Sequence, residues 1–219
     1  MGKVKKILVA AGLLILFLFL IFLLVFIMNF SKSLKKQSQN STLTTEKITT
    51  KQQSILYPPV SDAKSRITKK PFGIFVMPQN SPVQPEKFTG YHTGTDFETT
   101  PAEANQEIPV FAACSGNIRV KEFVSGYGGV IVQDCHIQNQ TVTVLYGHID
   151  ITKSFAPAVG QNVAAGTKLA ILAPARSHFT DGERKHLHLG IHKGSQIDFR
   201  GYVQNKAELS GWLNAANYL

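Results

Sequence analysis

Histidines alternate with aliphatic residues in His186-Leu187-His188-Leu189-Gly190-Ile191-His192. Side chains of a β-strand alternate between two faces, so this order places three histidines on one face and Leu187, Leu189 and Ile191 on the other. The apolar face packs into a core, which leaves the histidines facing a cleft or solvent. Because two imidazoles at i and i+2 would both need partners inside a core, the pattern favours metal binding or catalysis over a structural role.

The chain around this strand predicts an all-β domain. Short β-rich runs separated by Gly, Pro, Asn and Asp occupy residues 73–77, 110–114, 117–124, 129–133, 141–146, 168–172 and 186–192. Turn residues at spacings of about 8–12 favour an antiparallel sheet or sandwich. Glycines flank a further short strand within residues 160–169, and only residues 207–217 have a helical pattern.

The charge of the chain is concentrated in its N-terminal part. The 219 residues include 23 Lys and Arg against 14 Asp and Glu, a formal net charge of +9. All of this excess lies in residues 1–70, which contain 12 basic and 2 acidic residues, whereas residues 71–219 contain 11 basic and 12 acidic residues. A nucleic-acid-binding domain carries basic charge on its own surface, so we exclude nucleic acid as a partner.

An apolar run over residues 7–28 predicts a transmembrane anchor after a short cytoplasmic N-terminus, residues 1–6. At about 1.5 Å per residue the run spans roughly 33 Å as a helix, enough to cross a lipid bilayer. The alternative is a cleaved signal peptide, whose apolar region is shorter and is followed by small residues. Here Asn29-Phe30-Ser31-Lys32 follows instead. Flanking lysines are too balanced to settle the orientation.

Residues 29–70 are rich in Ser, Thr, Gln, Asn and Lys, which predicts a disordered stalk. Such a composition buries too little apolar surface to offset the entropy of ordering. As a random coil, the stalk spans on the order of 35 Å. The folded domain is therefore expected over residues 71–219.

Two further elements contain candidate metal or catalytic residues. His92-Thr93-Gly94-Thr95-Asp96 places an imidazole and a carboxylate four residues apart with a flexible glycine between them, and both groups are common zinc donors. On its own this pair is more often a His–Asp hydrogen bond. His148 ends a β-rich run in Leu145-Tyr146-Gly147-His148, where a loop histidine is the ordinary interpretation.

Together the three elements resemble the LytM/lysostaphin-type zinc metallopeptidases, a family of peptidoglycan endopeptidases. That family has a His-x-x-x-Asp element, then Tyr-x-His, then His-x-His, in the order found here. The glycine turn at residues 126–129 and the hairpin at residues 160–169 are similar too. The resemblance covers roughly residues 72–195.

The resemblance implies that His92, Asp96 and His188 bind one Zn²⁺, with the fourth position left for water, as a catalytic zinc site requires. It also implies that His148 and His186 are the catalytic pair. Zinc polarises a carbonyl and provides a nucleophilic water near neutral pH, and histidines suit the proton transfers. Which histidine takes which part stays open.

Several other residues receive weaker predictions. Tyr146 and His192 are candidates for the substrate groove, although His192 lies some 13 Å along the strand from His188. The charged loop 177–185 either lines that groove or is merely solvated. The remaining histidines, His136 and His178, are assigned to surface loops.

Two predictions stay open for Cys114 and Cys135, which lie at the ends of neighbouring predicted strands. They form a disulfide in an oxidising compartment, or one of them is a catalytic nucleophile with His148. The second option needs a setting that stabilises a thiolate, which the sequence does not indicate.

The sequence therefore predicts a single-pass membrane protein with its N-terminus in the cytoplasm and a zinc metalloendopeptidase domain outside it. The expected reaction is hydrolysis of peptide bonds in bacterial peptidoglycan, either crosslinks or interpeptide bridges. The main alternative is a non-catalytic LytM-like module that binds the wall or activates another hydrolase, but such modules typically lack zinc ligands. A carrier domain of the barrel-sandwich type explains only the 160–169 hairpin.

Overall fold

The computed structural model describes Lys32 and residues 56–219. Gln53–Leu219 forms one compact unit. Its eleven described strands are listed in chain order: β1 Phe75–Val76, β2 Gly90–His92, β3 Gly94–Glu98, β4 Pro109–Phe111, β5 Gly116–Val124, β6 Gly128–Ile137, β7 Gln140–Gly147, β8 Asn162–Val163, β9 Lys168–Ile171, β10 His186–Lys193 and β11 Tyr202–Val203.

Three antiparallel sheets organise these strands. The largest has the order β3-β10-β7-β6-β5-β8, and two smaller sheets have the orders β1-β2-β11 and β4-β9. The described helices are short 3-10 turns at Ala63–Arg66, Pro101–Glu103, Ile151–Lys153, His178–Thr180, Lys206–Gly211 and Ala215–Asn217. The prediction of a mostly β domain with antiparallel sheets and few helices is confirmed.

The six-stranded sheet buries one face in the main core. Leu187, Leu189 and Ile191 of β10 are all at most 1% exposed and belong to this core, as the alternation predicted. Val110 of β4 and Leu169 of β9, both in the two-stranded sheet, belong to the same core. The histidine face of β10 therefore turns away from the main core.

The folded domain begins before the predicted boundary at residue 71. Leu56, Val60 and Ala63 are buried in the main core, and the Leu56 amide donates to the carbonyl oxygen of Tyr218. Arg66 binds both carboxylate oxygens of Glu103. The prediction of a stalk reaching residue 70 is therefore wrong for residues 56–70, where a few well-spaced apolar side chains suffice to anchor a polar segment.

The predicted anchor at residues 7–28 and most of the predicted stalk lie outside the described residues. Within the part of the chain that the structure describes, no helix has the length and apolar character needed to cross a bilayer.

Candidate metal centre and catalytic cavity

The candidate site lies where the three-stranded and six-stranded sheets meet. His92 ends β2 in the smaller sheet, and the chain crosses at Thr93 into β3, which contains Asp96. His188 of β10 is paired directly opposite Asp96. Side chains opposite each other in an antiparallel pair share a face, so the register itself brings Asp96 and His188 together.

Three donor atoms of these residues form a small triangle. His92 Nε2 lies 3.1 Å from His188 Nδ1 and 3.3 Å from Asp96 Oδ1, and His188 Nδ1 lies 3.1 Å from the same Asp96 oxygen. Tetrahedral zinc with bonds of about 2.0–2.1 Å would separate its donors by roughly 3.3 Å. The three buried residues therefore fit one zinc ion, and the donor set of two imidazoles and one carboxylate is typical of catalytic zinc.

The second nitrogen of each ligand histidine also has a partner. His92 Nδ1 lies 3.3 Å from the carbonyl oxygen of Pro71, and His188 Nε2 lies 3.4 Å from the hydroxyl of Tyr127. A carbonyl oxygen only accepts, so His92 carries its proton on Nδ1 and leaves Nε2 free for a metal. Outer contacts of this kind orient metal ligands.

Asp96 is held by an arginine that bridges two carboxylates. Arg184 Nη2 donates to Asp96 Oδ2 at 2.8 Å, while its Nε donates to both oxygens of Glu98. Burial alone raises the pKa of Asp96, but His186, His92 and His188 outweigh it and hold the pKa well below its usual value. The carboxylate is thus ionised, with Oδ1 turned toward the two ligand histidines.

Two glycines make room for the site. A Cβ at Gly94 would clash with His188 Nε2, and a Cβ at Gly147 would lie 2.7 Å from the ring of Tyr127. Gly94 was expected to provide flexibility between His92 and Asp96, but the structure shows that it instead provides space for the His188 ring. Gly147 likewise allows Tyr127 to pack beside His188.

His148 and His186 lie next to the triad, with ring centroids 4.3 Å apart. His148 has a left-handed backbone with φ of 62°, and its Nδ1 is buried with no hydrogen-bond partner among the described residues. Burial, reinforced by His186 and His188, lowers the pKa of His148 well below its usual value. His186 Nδ1 donates to the carbonyl oxygen of Arg184 at 2.9 Å, and its Nε2 lies 3.3 Å from Asp96 Oδ2.

These five residues line a single cavity of about 270 Å³. Glu183 and Arg184 of the charged loop 177–185 also line it, so this loop contributes to the cavity wall. The other residues of the wall are Lys70, Phe88, Thr89, Ser125, Gly126, Tyr127, Phe199, Gly201, Tyr202 and Gln204.

Neither predicted groove residue lies in the wall of this cavity. Tyr146 is fully buried in the main core, where its hydroxyl accepts from the Ala113 amide and donates to Gln133 Oε1. The assignment of Tyr146 was wrong because it pairs opposite Leu189, and opposite residues share the core face. His192 shares the face of His188 but packs edge-on against Trp212 in a separate, much smaller cavity.

The other histidines and the cysteines have structural positions. His136 and His178 are exposed as expected, but His136 lies in β6 and His178 in a 3-10 turn rather than in plain loops. Cys114 and Cys135 form a disulfide, with Cα atoms 5.9 Å apart. No free thiol is present in residues 56–219, which contradicts the cysteine-nucleophile alternative.

Ten cavity residues were not predicted from the sequence as site residues, among them Tyr127, Lys70, Phe88 and Tyr202. Tyr127 had one signal, since it is an aromatic residue within the glycine turn at residues 126–129. Lys70, Phe88 and Tyr202 had none, because each reaches the cavity only through pairing or packing across the fold. Burial raises the pKa of the Tyr127 and Tyr202 hydroxyls, so both stay protonated.

Comparison with solved structures finds several chains similar to this one. Csd3 of Helicobacter pylori is 24% identical, with a TM-score of 0.43 over 69% of this chain and 35% of Csd3. A zinc-containing peptidase of Vibrio cholerae is 21% identical, with a TM-score of 0.44 over 74% of this chain and 39% of that one. LytU is 23% identical, with a TM-score of 0.44 over 70% of this chain and 90% of LytU.

The chain thus spans little more than a third of the length of the first two structures. No curated protein matches it. The model of Peptidase family M23 matches residues 90–199, half of the chain, and the matched segment contains all five histidine and aspartate residues of the site. The resemblance to LytM/lysostaphin-type peptidases is confirmed at this level, and the chain belongs to Peptidase family M23.

Proposed function

We propose that this protein is a zinc metalloendopeptidase that hydrolyses peptide bonds in bacterial peptidoglycan, and that residues 7–28 anchor it in the cell membrane with the catalytic domain outside the cytoplasm. The observation that carries the proposal is the convergence of three metal-ligand atoms with two further histidines in one cavity. A wall-binding module without catalysis would need neither the ligand triangle nor the histidine pair beside it.

His92, Asp96 and His188 would hold the ion. When bound, zinc supplies Lewis-acid polarisation of a carbonyl and a water nucleophile near neutral pH. The protein would exclude bulk water from the cavity, orient the peptide and move protons.

The two remaining histidines suit different proton-transfer roles. His148 is buried and its pKa is lowered, so it is neutral and able to accept a proton from the attacking water. His186 carries a proton on Nδ1, because the Arg184 carbonyl oxygen can only accept. Its Nε2, which is not committed to that bond, lies 3.3 Å from a carboxylate oxygen of Asp96. We therefore assign His148 as the general base and His186 as the donor to the departing nitrogen.

The location outside the cytoplasm has support beyond the apolar N-terminal run. The Cys114–Cys135 disulfide is stable in oxidising compartments and rare in the cytosol. Peptidoglycan also lies outside the membrane, and residues 29–55 would connect the anchor to the domain.

The test is zinc content and wall hydrolysis of the full chain in detergent, beside three variants. His188→Ala is expected to lose both zinc and release of soluble muropeptides. His148→Ala is expected to retain about one zinc per chain and lose turnover. His136→Ala, an exposed histidine outside the cavity, is the matched control and should keep both. A wild-type protein that binds zinc and releases no fragments from any purified peptidoglycan would contradict the enzymatic proposal.

A further inference from the structure

Tyr202 is a cavity residue that the family match does not include, since that match ends at residue 199. In the pairing of β11 with β2, Tyr202 lies directly opposite the metal-ligand residue His92. Its ring is 5.2 Å from the His92 ring and stacks on Phe88 at 5.2 Å with an interplanar angle of 17°. Sheet register and stacking together fix the tyrosine beside the triad.

The direction of the Tyr202 hydroxyl is set by a buried lysine. Lys70 Nζ donates to the Tyr202 oxygen at 3.0 Å. An ammonium has donors only, so the tyrosine oxygen must accept, and its own hydrogen is left for another acceptor. Within residues 56–219 no protein group accepts that hydrogen, and Tyr202 lines the cavity.

The lysine is itself held in place. Lys70 forms an ion pair with Glu86, and the two side chains are 5% and 2% exposed. Glu86 also accepts from the Ser81 hydroxyl at 2.7 Å and from the Phe88 amide at 3.1 Å. The charge of Lys70 is therefore neutralised locally, and its position is fixed before any substrate binds.

We propose that the Tyr202 hydroxyl is a catalytic hydrogen-bond donor to the scissile carbonyl oxygen, and that Lys70, held by Glu86, is the positioning residue that aims it. This inference rests on the peptidase function proposed above. A cation bound to the oxygen of a hydroxyl polarises the O–H bond and so strengthens the hydrogen bond that the hydroxyl donates. Because the donor is already fixed in place, it stabilises an oxyanion without any reorganisation of the site.

The step involves no proton transfer from tyrosine. Water adds to the peptide carbonyl carbon, its proton passes to His148, and the π electron pair moves onto the carbonyl oxygen. Tyr202 donates a hydrogen bond to that oxygen while it carries the charge. The C–N bond then breaks as His186 protonates the nitrogen, and the carbonyl bond reforms.

The test compares Tyr202→Phe with wild type in the zinc-loaded full chain. The substitution removes only the hydroxyl and keeps the stacking on Phe88. We expect kcat on soluble muropeptide dimers to fall roughly 100-fold, with KM within about twofold and zinc content unchanged. Tyr91→Phe, in the neighbouring strand β2 and packed on Phe75, is the matched control and should retain wild-type kcat.

A double-mutant cycle tests the role of Lys70. The double substitution Lys70→Met and Glu86→Gln removes both buried charges together, so that neither charge is left buried without its partner. We expect it to lower kcat about tenfold in the wild-type background and to have no further effect in Tyr202→Phe. An equal loss in both backgrounds would show that the pair only supports folding, and would overturn the positioning role.

A binding assay with inorganic phosphate, a tetrahedral oxyanion, tests the donor role of Tyr202 in the zinc-loaded chain without requiring peptidase activity. Titration calorimetry should show at least fivefold weaker binding to Tyr202→Phe even if the wild type hydrolyses no wall substrate. Unchanged phosphate affinity, or kcat within threefold of wild type, would refute the donor role. Loss of zinc or of the folded state in Tyr202→Phe would also refute it, since the residue would then be structural.

Discussion

Reducing the Cys114–Cys135 disulfide should cost the domain about 3 kcal/mol of stability. The bond joins residues 21 apart, and the entropy of closing such a loop in the unfolded chain is about 11 cal/mol/K, or about 3.3 kcal/mol at 25 °C. The native state should change little on reduction. Gln133 Nε2 still donates to the Cys114 carbonyl oxygen at 2.8 Å, and the Ala113 amide still donates to the Tyr146 hydroxyl.

The assay is the thermal transition of the full chain in detergent, with and without a phosphine reductant that does not bind zinc. For a domain of 150–250 residues, 1 kcal/mol corresponds to about 2–4 °C, so we expect Tm to fall by roughly 6–13 °C. A variant with both cysteines changed to alanine should start at the lower Tm and ignore the reductant. A fall of less than about 3 °C in the wild type would refute the loop-entropy reasoning.

Three further predictions follow from particular contacts. Arg184→Gln removes the donor to Asp96 Oδ2, so zinc affinity measured by chelator competition should fall 10- to 100-fold; unchanged affinity would show that Asp96 needs no such support. Tyr146→Phe leaves two buried polar groups unpaired, so the free energy of unfolding measured with denaturant should fall by roughly 2–3 kcal/mol. The kcat per folded molecule should not change, whereas substitution of a substrate-groove residue would lower it. The hydrogen bonds from Arg66 lower the pKa of Glu103 from 4.5 to about 2, so the pair stabilises the fold above pH 4.5 and loses this effect as the pH falls toward 2. Glu103→Gln should therefore cost about 1 kcal/mol at pH 7, and its denaturant midpoint should approach that of wild type between pH 4.5 and pH 3.

The local patterns of the chain predicted the strands that bury an apolar face. The alternation in residues 186–192 placed Leu187, Leu189 and Ile191 in the core, and β5, β6, β7 and β9 lie within a few residues of their predicted positions. Such strands can be recognised in the sequence because burial of one face needs an apolar residue at every second position.

The strand that contains Asp96 was missed for the opposite reason. All five residues of β3 are buried, yet Thr95, Asp96 and Glu98 are polar, so no alternation marks them. Their burial depends on partners far along the chain: Arg184 pairs with both Asp96 and Glu98 across more than 80 residues. A local window cannot contain a charge pair of that separation.

Local sequence patterns also could not predict which face of the sheet a side chain occupies. Tyr146 and His148 lie two residues apart, and the sequence placed both at the site. The register with β10 puts Gly147 opposite His188 and Tyr146 opposite Leu189, and the register with β6 puts Tyr146 opposite Ile131, so the tyrosine lies on the core face. The turn after β7, with its positive φ at His148, brings the histidine back beside His186.

Local sequence patterns indicated the β class of the domain, the family motifs and the five histidine and aspartate residues of the candidate site, because residue type and spacing within single strands carry that information. The folded structure established which atoms meet. It turned the donors of His92, Asp96 and His188 into a triangle 3.1–3.3 Å on a side, and it brought Lys70 and Tyr202 to the same cavity. Those contacts depend on strand register and on ion pairs between distant segments, which form only when the whole chain has folded.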